Sequence, residues 1–156
     1  MKNLLFAVLV LLSITVTSQS KQETQDWIIS KLTQYGNVDS NRYELKFVEN
    51  KKGEVSFVIE DSFMIPNITR VPINAVINMH IYSGKEEVVL VLVGKENSIS
   101  RVLINKTGSE VGMPKYRDDT DIFLHKNFVG EDLTYRIRKA FRHLVKLYGG
   151  KMKETF

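Results

Sequence analysis

Cysteine is missing from all 156 residues. That rules out disulfides, thiolate catalysis and a lipid anchor on an N-terminal cysteine. Proline is scarce as well, at three, and no Pro/Gly-rich linker, internal repeat or low-complexity tract divides the chain. No apolar run reaches the ~18 residues of a membrane-spanning helix. No glycine-rich phosphate loop occurs, and no G-x-S-x-G nucleophile elbow. The three histidines, His80, His125 and His143, share no metal-ligand spacing. No single sign of charge dominates. The 22 Lys+Arg against 18 Asp+Glu give +4, or +3 once Lys2 is removed with the leader described next. These absences argue against an enzyme, against a cofactor or metal, and against a nucleic-acid binder, for which no recognition motif is present.

What is present begins with the N-terminus. Lys2 supplies a positive start, Leu4 to Leu12 is an unbroken apolar run, and Ile14 and Val16 extend it. That is signal-peptide length, and Val16-Thr17-Ser18 offers the small side chains a signal peptidase reads. Cleavage is expected after Ser18, with Ser20 as the alternative. Residues 1–18 are thus expected to be a signal peptide, with an uncleaved membrane anchor as the alternative, and residues 19–156 one domain, exported to a bacterial periplasm or secreted, with no transmembrane span in the mature chain. A cysteine-free exported domain of this size suits a bacterial host and is large enough to bury a core without staples.

The mature chain opens on a predicted helix from Thr24 to Tyr35, with Trp27, Ile28, Leu32 and Tyr35 on one side and Gly36 as its stop. Strands follow. Tyr43, Leu45 and Phe47 alternate, Asn50-Lys51-Lys52-Gly53 is a tight turn, and Val55, Phe57 and Ile59 alternate beyond it, which predicts an antiparallel hairpin. Pro66 and Pro72 bracket a segment expected to be irregular or at an edge. Ile73, Ala75, Ile77, Met79 and Ile81 alternate over a long strand that bends. Val88 to Val93 is continuously apolar, as in a strand buried on both faces or passing under a helix. Ile99 to Ile104 is another strand and Asn105-Lys106-Thr107-Gly108 a turn. Ser109 to Thr120 is expected to be a loop or weak edge strand, and the last strand begins at Ile122. The final helix carries Leu133, Ile137, Ala140, Phe141, Leu144 and Tyr148 at helical spacing. Glu131 and Asp132 suit its start and Lys146 its end, and Gly149-Gly150 stops it.

Short antiparallel strands closed by one C-terminal amphipathic helix resemble the pleckstrin-homology-like (PH-like) architecture. The likeness runs through Val71-Pro72-Ile73 to Ile81, Val88–Val93 and Ile99–Ile104, and on to the closing helix Leu133-Thr134-Tyr135-Arg136-Ile137-Arg138-Lys139-Ala140-Phe141-Arg142-His143-Leu144. It is the kind found in exported bacterial proteins of unknown function and covers roughly residues 40–150. It implies an α+β fold: an antiparallel β-barrel or strongly bent sheet, closed by the C-terminal helix, with the short N-terminal helix added. Lipid-binding members carry basic residues around their first hairpin, where Lys46, Lys51 and Lys52 stand here. The strand after them opens Glu54-Val55-Ser56 without the basic residue that completes the phosphoinositide motif, so headgroup binding is not carried over.

Candidate chemistry is sparse. Asp118-Asp119-Thr120-Asp121 gathers carboxylates, but it lacks the glycine and terminal acid of a calcium loop and reads as a polar turn. Asn67-Ile68-Thr69 and Asn105-Lys106-Thr107 match the N-glycosylation pattern, which matters only in a eukaryotic host. The most suggestive surface is the basic stripe Arg136, Lys139, His143 and Lys146, flanked by Arg138 and Arg142, which suits an acidic envelope protein or an anionic surface. The expectation is a non-catalytic binding or scaffolding module of the cell envelope. The alternative is a carrier of a small apolar ligand held in a cavity between sheet and C-terminal helix.

Overall fold

The structure, a computed structural model, describes residues 21–36, 43–62, 65–130 and 132–153. The expected leader, the polar turn at 37–41 and Glu131 lie outside the described residues. Helix α1 covers residues 21–34. The strands are β1 (Tyr43–Glu49), β2 (Val55–Asp61), β3 (Asn67–Pro72), β4 (Val76–Ser83), β5 (Glu87–Gly94), β6 (Ile99–Ile104), β7 (Glu110–Arg117) and β8 (Asp119–His125), and the closing helix α2 is Leu133–Leu147. The result is α+β with antiparallel sheets and a C-terminal helix.

The strands form two sheets, β1-β2-β3-β6-β7 and β4-β5-β8. Neither closes into a barrel, which corrects that half of the expected fold. The chain changes sheet after β3, after β5 and after β7, so the ladder never runs continuously round one cylinder. Every strand pair is antiparallel.

The hairpins form for the reasons their turns suggest. Asn50 accepts from the N–H groups of Lys52 and Glu54 through its side chain, while Gly53 takes φ 77° and donates back to the Asn50 carbonyl. Asn105 repeats this geometry with Thr107, Ser109 and Gly108 at φ 78°. In each turn the asparagine imitates a backbone turn and the glycine supplies the left-handed residue without a Cβ clash.

Three strand expectations need correction, and the weak edge strand expected within 109–120 is present as β7. β3 is a central strand, paired to β2 and β6. Pro66 stands just before it and Pro72 is its last residue, positions where a missing N–H costs the ladder little. The long strand expected from Ile73 starts later, because Ile73–Ala75 is a 3-10 turn and the β4–β5 register shifts between Val76 and Asn78. β5 buries one face: Val88, Leu90 and Leu92 are in the core while Val89, Val91 and Val93 are half-buried. β7 is a complete strand at the edge of the five-stranded sheet, exposed along its whole length. Gly112 and Pro114 within it discourage pairing by another chain.

The main core joins both sheets and both helices. Ile28 and Leu32 of α1, Phe57 of β2, Met79 of β4, Leu90 of β5 and Phe141 of α2 are fully buried in one cluster. Phe57 packs edge-on against Phe141, centroids 5.7 Å apart, and tilts against Phe47 at 5.1 Å. Each such side chain contributes roughly 1.5–3 kcal/mol of burial free energy. A Schellman motif ends α2: the Gly150 N–H donates to the Val145 carbonyl, that of Gly149 to Lys146, and Gly149 adopts φ 75°. The chain beyond returns to the body, with Met152 buried and the Lys153 N–H donating to Ile77. At the other end of α1, Gly36 bridges Leu124, and the His125 N–H donates to the Tyr35 carbonyl, tying the helix to β8.

Candidate functional site

On α2 the division of faces is physical. Leu133, Ile137, Phe141, Leu144 and Val145 are buried, while Arg136, Lys139, His143 and Lys146 are exposed. α1 packs beside α2, and between them runs an open groove of roughly 450 Å³. Its lining joins Arg136, Lys139, Ala140 and His143 of α2 to Glu23, Thr24 and Trp27 of α1, with Tyr135 at the rim. Three of the four stripe residues therefore share one concavity. Lys146 does not line it and stays on the open surface.

The groove has an apolar floor, a basic wall on α2 and an α1 wall that carries Glu23. Trp27 is partly buried against the core, and the Arg136 guanidinium carbon lies 5.3 Å from its ring centroid. That is a cation–π arrangement, and it holds the guanidinium at the groove. The helices are pinned together at the other end of α2. Gln25 donates from its amide nitrogen to the Tyr148 hydroxyl at 2.9 Å, and Lys21 Nζ sits 4.6 Å from the Tyr148 ring centroid. Desolvation, then the nearby charge of Glu49, raises the Tyr148 pKa above the usual phenol value, although the Gln25 hydrogen bond opposes this. Tyr148 is therefore a neutral strut at ordinary pH. Lys46, on the far hairpin, is pushed up chiefly by its hydrogen bond to Glu60 and next opposed by desolvation. It is a surface ion pair, and Lys51 and Lys52 are exposed turn residues.

Trp27 is the groove residue that sequence patterning assigned to the core. Trp27 and Ile28 are neighbours, about 100° apart round the helix, so both cannot sit at the centre of one stripe. Ile28 is fully buried and Trp27 lies at the stripe's margin. A large aromatic at a stripe edge was the available signal.

The other sequence candidates fall apart spatially. The Asp118 side chain accepts from the Asn97 N–H at 2.7 Å, and its carbonyl accepts from Gly94. It braces the β5–β6 turn. Among the described residues no group of three or more His, Asp or Glu side chains is placed to hold a metal ion. His80 lies against Asn78 and Tyr82 on β4, and the His125 ring accepts from the Asn127 N–H. Asn67, the first sequon asparagine, is buried and engaged, whereas Asn105 is in an exposed turn. Among the described residues no helix is long and apolar enough to cross a membrane. No protein-family model, curated protein or solved structure matches the chain.

Proposed function

We propose that this is a non-catalytic binding module of the bacterial cell envelope, and that the α1/α2 groove takes an acidic partner protein. The observation that carries the reading is the gathering of Arg136, Lys139 and His143 round the Trp27 floor. Cations over an apolar floor suit a segment that presents carboxylates beside an apolar side chain. The envelope location rests on the Leu4–Leu12 run and the Val16-Thr17-Ser18 cleavage site. The PH-like reading of the domain is supported by the antiparallel sheets and closing helix. Because the strands divide between two sheets, that likeness is architectural and brings no ligand with it. The carrier alternative needs open apolar space between sheet and α2, where Phe57, Met79 and Phe141 sit fully buried and in contact with the core.

The test is retention of the purified protein on poly-glutamate beads against uncharged beads. Retention at low ionic strength should disappear in 1 M salt, where the Debye length falls to about 3 Å. Equal retention on both beads, or retention indifferent to salt, would overturn the reading.

A further inference from the structure

The inward face of the five-stranded sheet changes character along its strands. Register places Phe47, Phe57 and Val71 side by side in one row, then Leu45, Ile59, Thr69 and Arg101, then Tyr43, Asp61 and Asn67. The first row is apolar and meets α2 through Phe57. The last two rows face a notch of roughly 150 Å³ between this sheet and β8, lined also by Arg117, Thr120, Asp121 and Phe123. That space equals about five waters at their liquid volume of ~30 Å³.

We propose that this notch binds a small, uncharged polyhydroxyl ligand, a single sugar ring. Asn67, Thr69 and Thr120 are 2%, 4% and 8% exposed, so polar side chains occupy positions that strands ordinarily give to valine or isoleucine. Burying them costs free energy unless hydrogen bonds offset it. Internal bonding goes only part of the way. Asn67 is fully engaged: its amide donates to the Ile65 carbonyl, and its oxygen accepts from Arg101 Nε at 2.9 Å and from the Thr69 hydroxyl at 3.4 Å. Arg101 gives up only that one N–H. Its two terminal nitrogens make no hydrogen bond to any described residue, although the side chain is oriented and held by Asn67. Arg117 makes one long ion pair, 3.6 Å to Asp119. The Asp121 carboxylate has no hydrogen bond among the described residues. The notch is therefore lined by donors from Arg101 and Arg117, an acceptor from Asp121, and the aromatic residues Tyr43 and Phe123.

Charge selects the ligand class. Arg101 and Arg117 line the notch together with Asp61 and Asp121, and Arg117 also pairs with Asp119. A phosphate attracted to the guanidinium groups meets two carboxylates, and an ammonium group meets two guanidiniums. A hydroxyl both donates and accepts, so a ring of them bridges guanidinium to carboxylate without a charge penalty. A notch of this volume has no room for a chain of rings.

The experiment is an amide NMR titration of the purified protein with glucose and with N-acetylglucosamine, alongside inorganic phosphate and glycine. At least one sugar should shift the amides of Asp61, Asn67, Arg101 and Thr120 saturably, while phosphate and glycine leave them in place. Asp121→Asn, at an exposed position with no hydrogen bond or ion pair to any described residue, should weaken that sugar's binding about tenfold with an unchanged spectrum elsewhere. Arg101→Gln should do the same. If neither sugar shifts these amides, if phosphate or glycine binds there instead, or if Asp121→Asn and Arg101→Gln both leave the titration unchanged, the assignment fails.

Discussion

The two ends of one sheet face make an instructive pair. Strands β1, β2 and β3 carry Phe47, Phe57 and Val71 in one row and Tyr43, Asp61 and Asn67 two rows along. The same three strands lie side by side at both ends, and β6 joins the ladder only towards the polar one. At the apolar end a helix covers the row and aromatic rings fill the space, so the residues there hold the fold. At the polar end the space is left partly open, and a hydrogen bond orients an arginine whose terminal nitrogens make none to any described residue. A fold needs only enough of its interior to be apolar; the remainder can be given to recognition, at a cost in stability.

The largest expected effect is at the apolar end. Phe141→Ala removes a fully buried ring that meets Phe57 edge-on, and should cost roughly 3–5 kcal/mol in urea denaturation. A loss below about 1 kcal/mol would mean that α2 does not close this core. At the polar end Asn67→Ala leaves Arg101 Nε and the Ile65 carbonyl without their partner. The expected loss is smaller, about 1–3 kcal/mol, in the same assay. A cost equal to that of Phe141→Ala would erase the distinction between the ends.

Thr69→Val sharpens the comparison further. The hydroxyl makes one long hydrogen bond, 3.4 Å to Asn67, in a buried position beside Ile59. Losing that bond and gaining a buried methyl nearly cancel, so stability should move by less than about 1 kcal/mol. A loss of several kcal/mol would show that the hydroxyl is integral to the fold.

Which of these features the sequence displayed follows from the range of the interaction involved. Alternation in Tyr43–Phe47 and Val55–Ile59 and the Asn-x-x-Gly turns are local, and the hairpin formed in the expected place. The α2 stripe is equally local: Leu133, Ile137, Phe141 and Leu144 are buried as the spacing indicated, Val145 joins them, and Ala140 and Tyr148 are half-buried. The central place of β3 is not legible locally, because a proline looks the same just outside a central strand as on an edge strand. β7 leaves little burial pattern because every residue is exposed. The groove needed α1 to lie against α2, a contact between residues more than 100 positions apart in sequence. The notch was hidden for a similar reason. Asn67 and Thr69 read as a sequon and Arg101 as one charge in a strand until strand pairing set them together.

The smallest expected effect on stability lies on the outer face of the helix whose inner face supplies Phe141. Lys139 lines the groove and makes no hydrogen bond or ion pair with any described residue, so Lys139→Glu should leave unfolding free energy within about 0.5 kcal/mol of wild type. Arg136 differs, because its guanidinium stacks on Trp27. Arg136→Glu should lose the ~0.5–1 kcal/mol typical of an exposed cation–π contact. The ranking reverses in no other assay unless the groove binds something. If it takes an acidic partner, each change puts a carboxylate where the partner's carboxylates must approach, and either variant should lose most of its low-salt retention on poly-glutamate. Lys139→Glu is then the informative protein: wild-type unfolding with lost retention marks a recognition residue. Wild-type unfolding with undiminished retention would reduce the cationic wall to ordinary solvated charge.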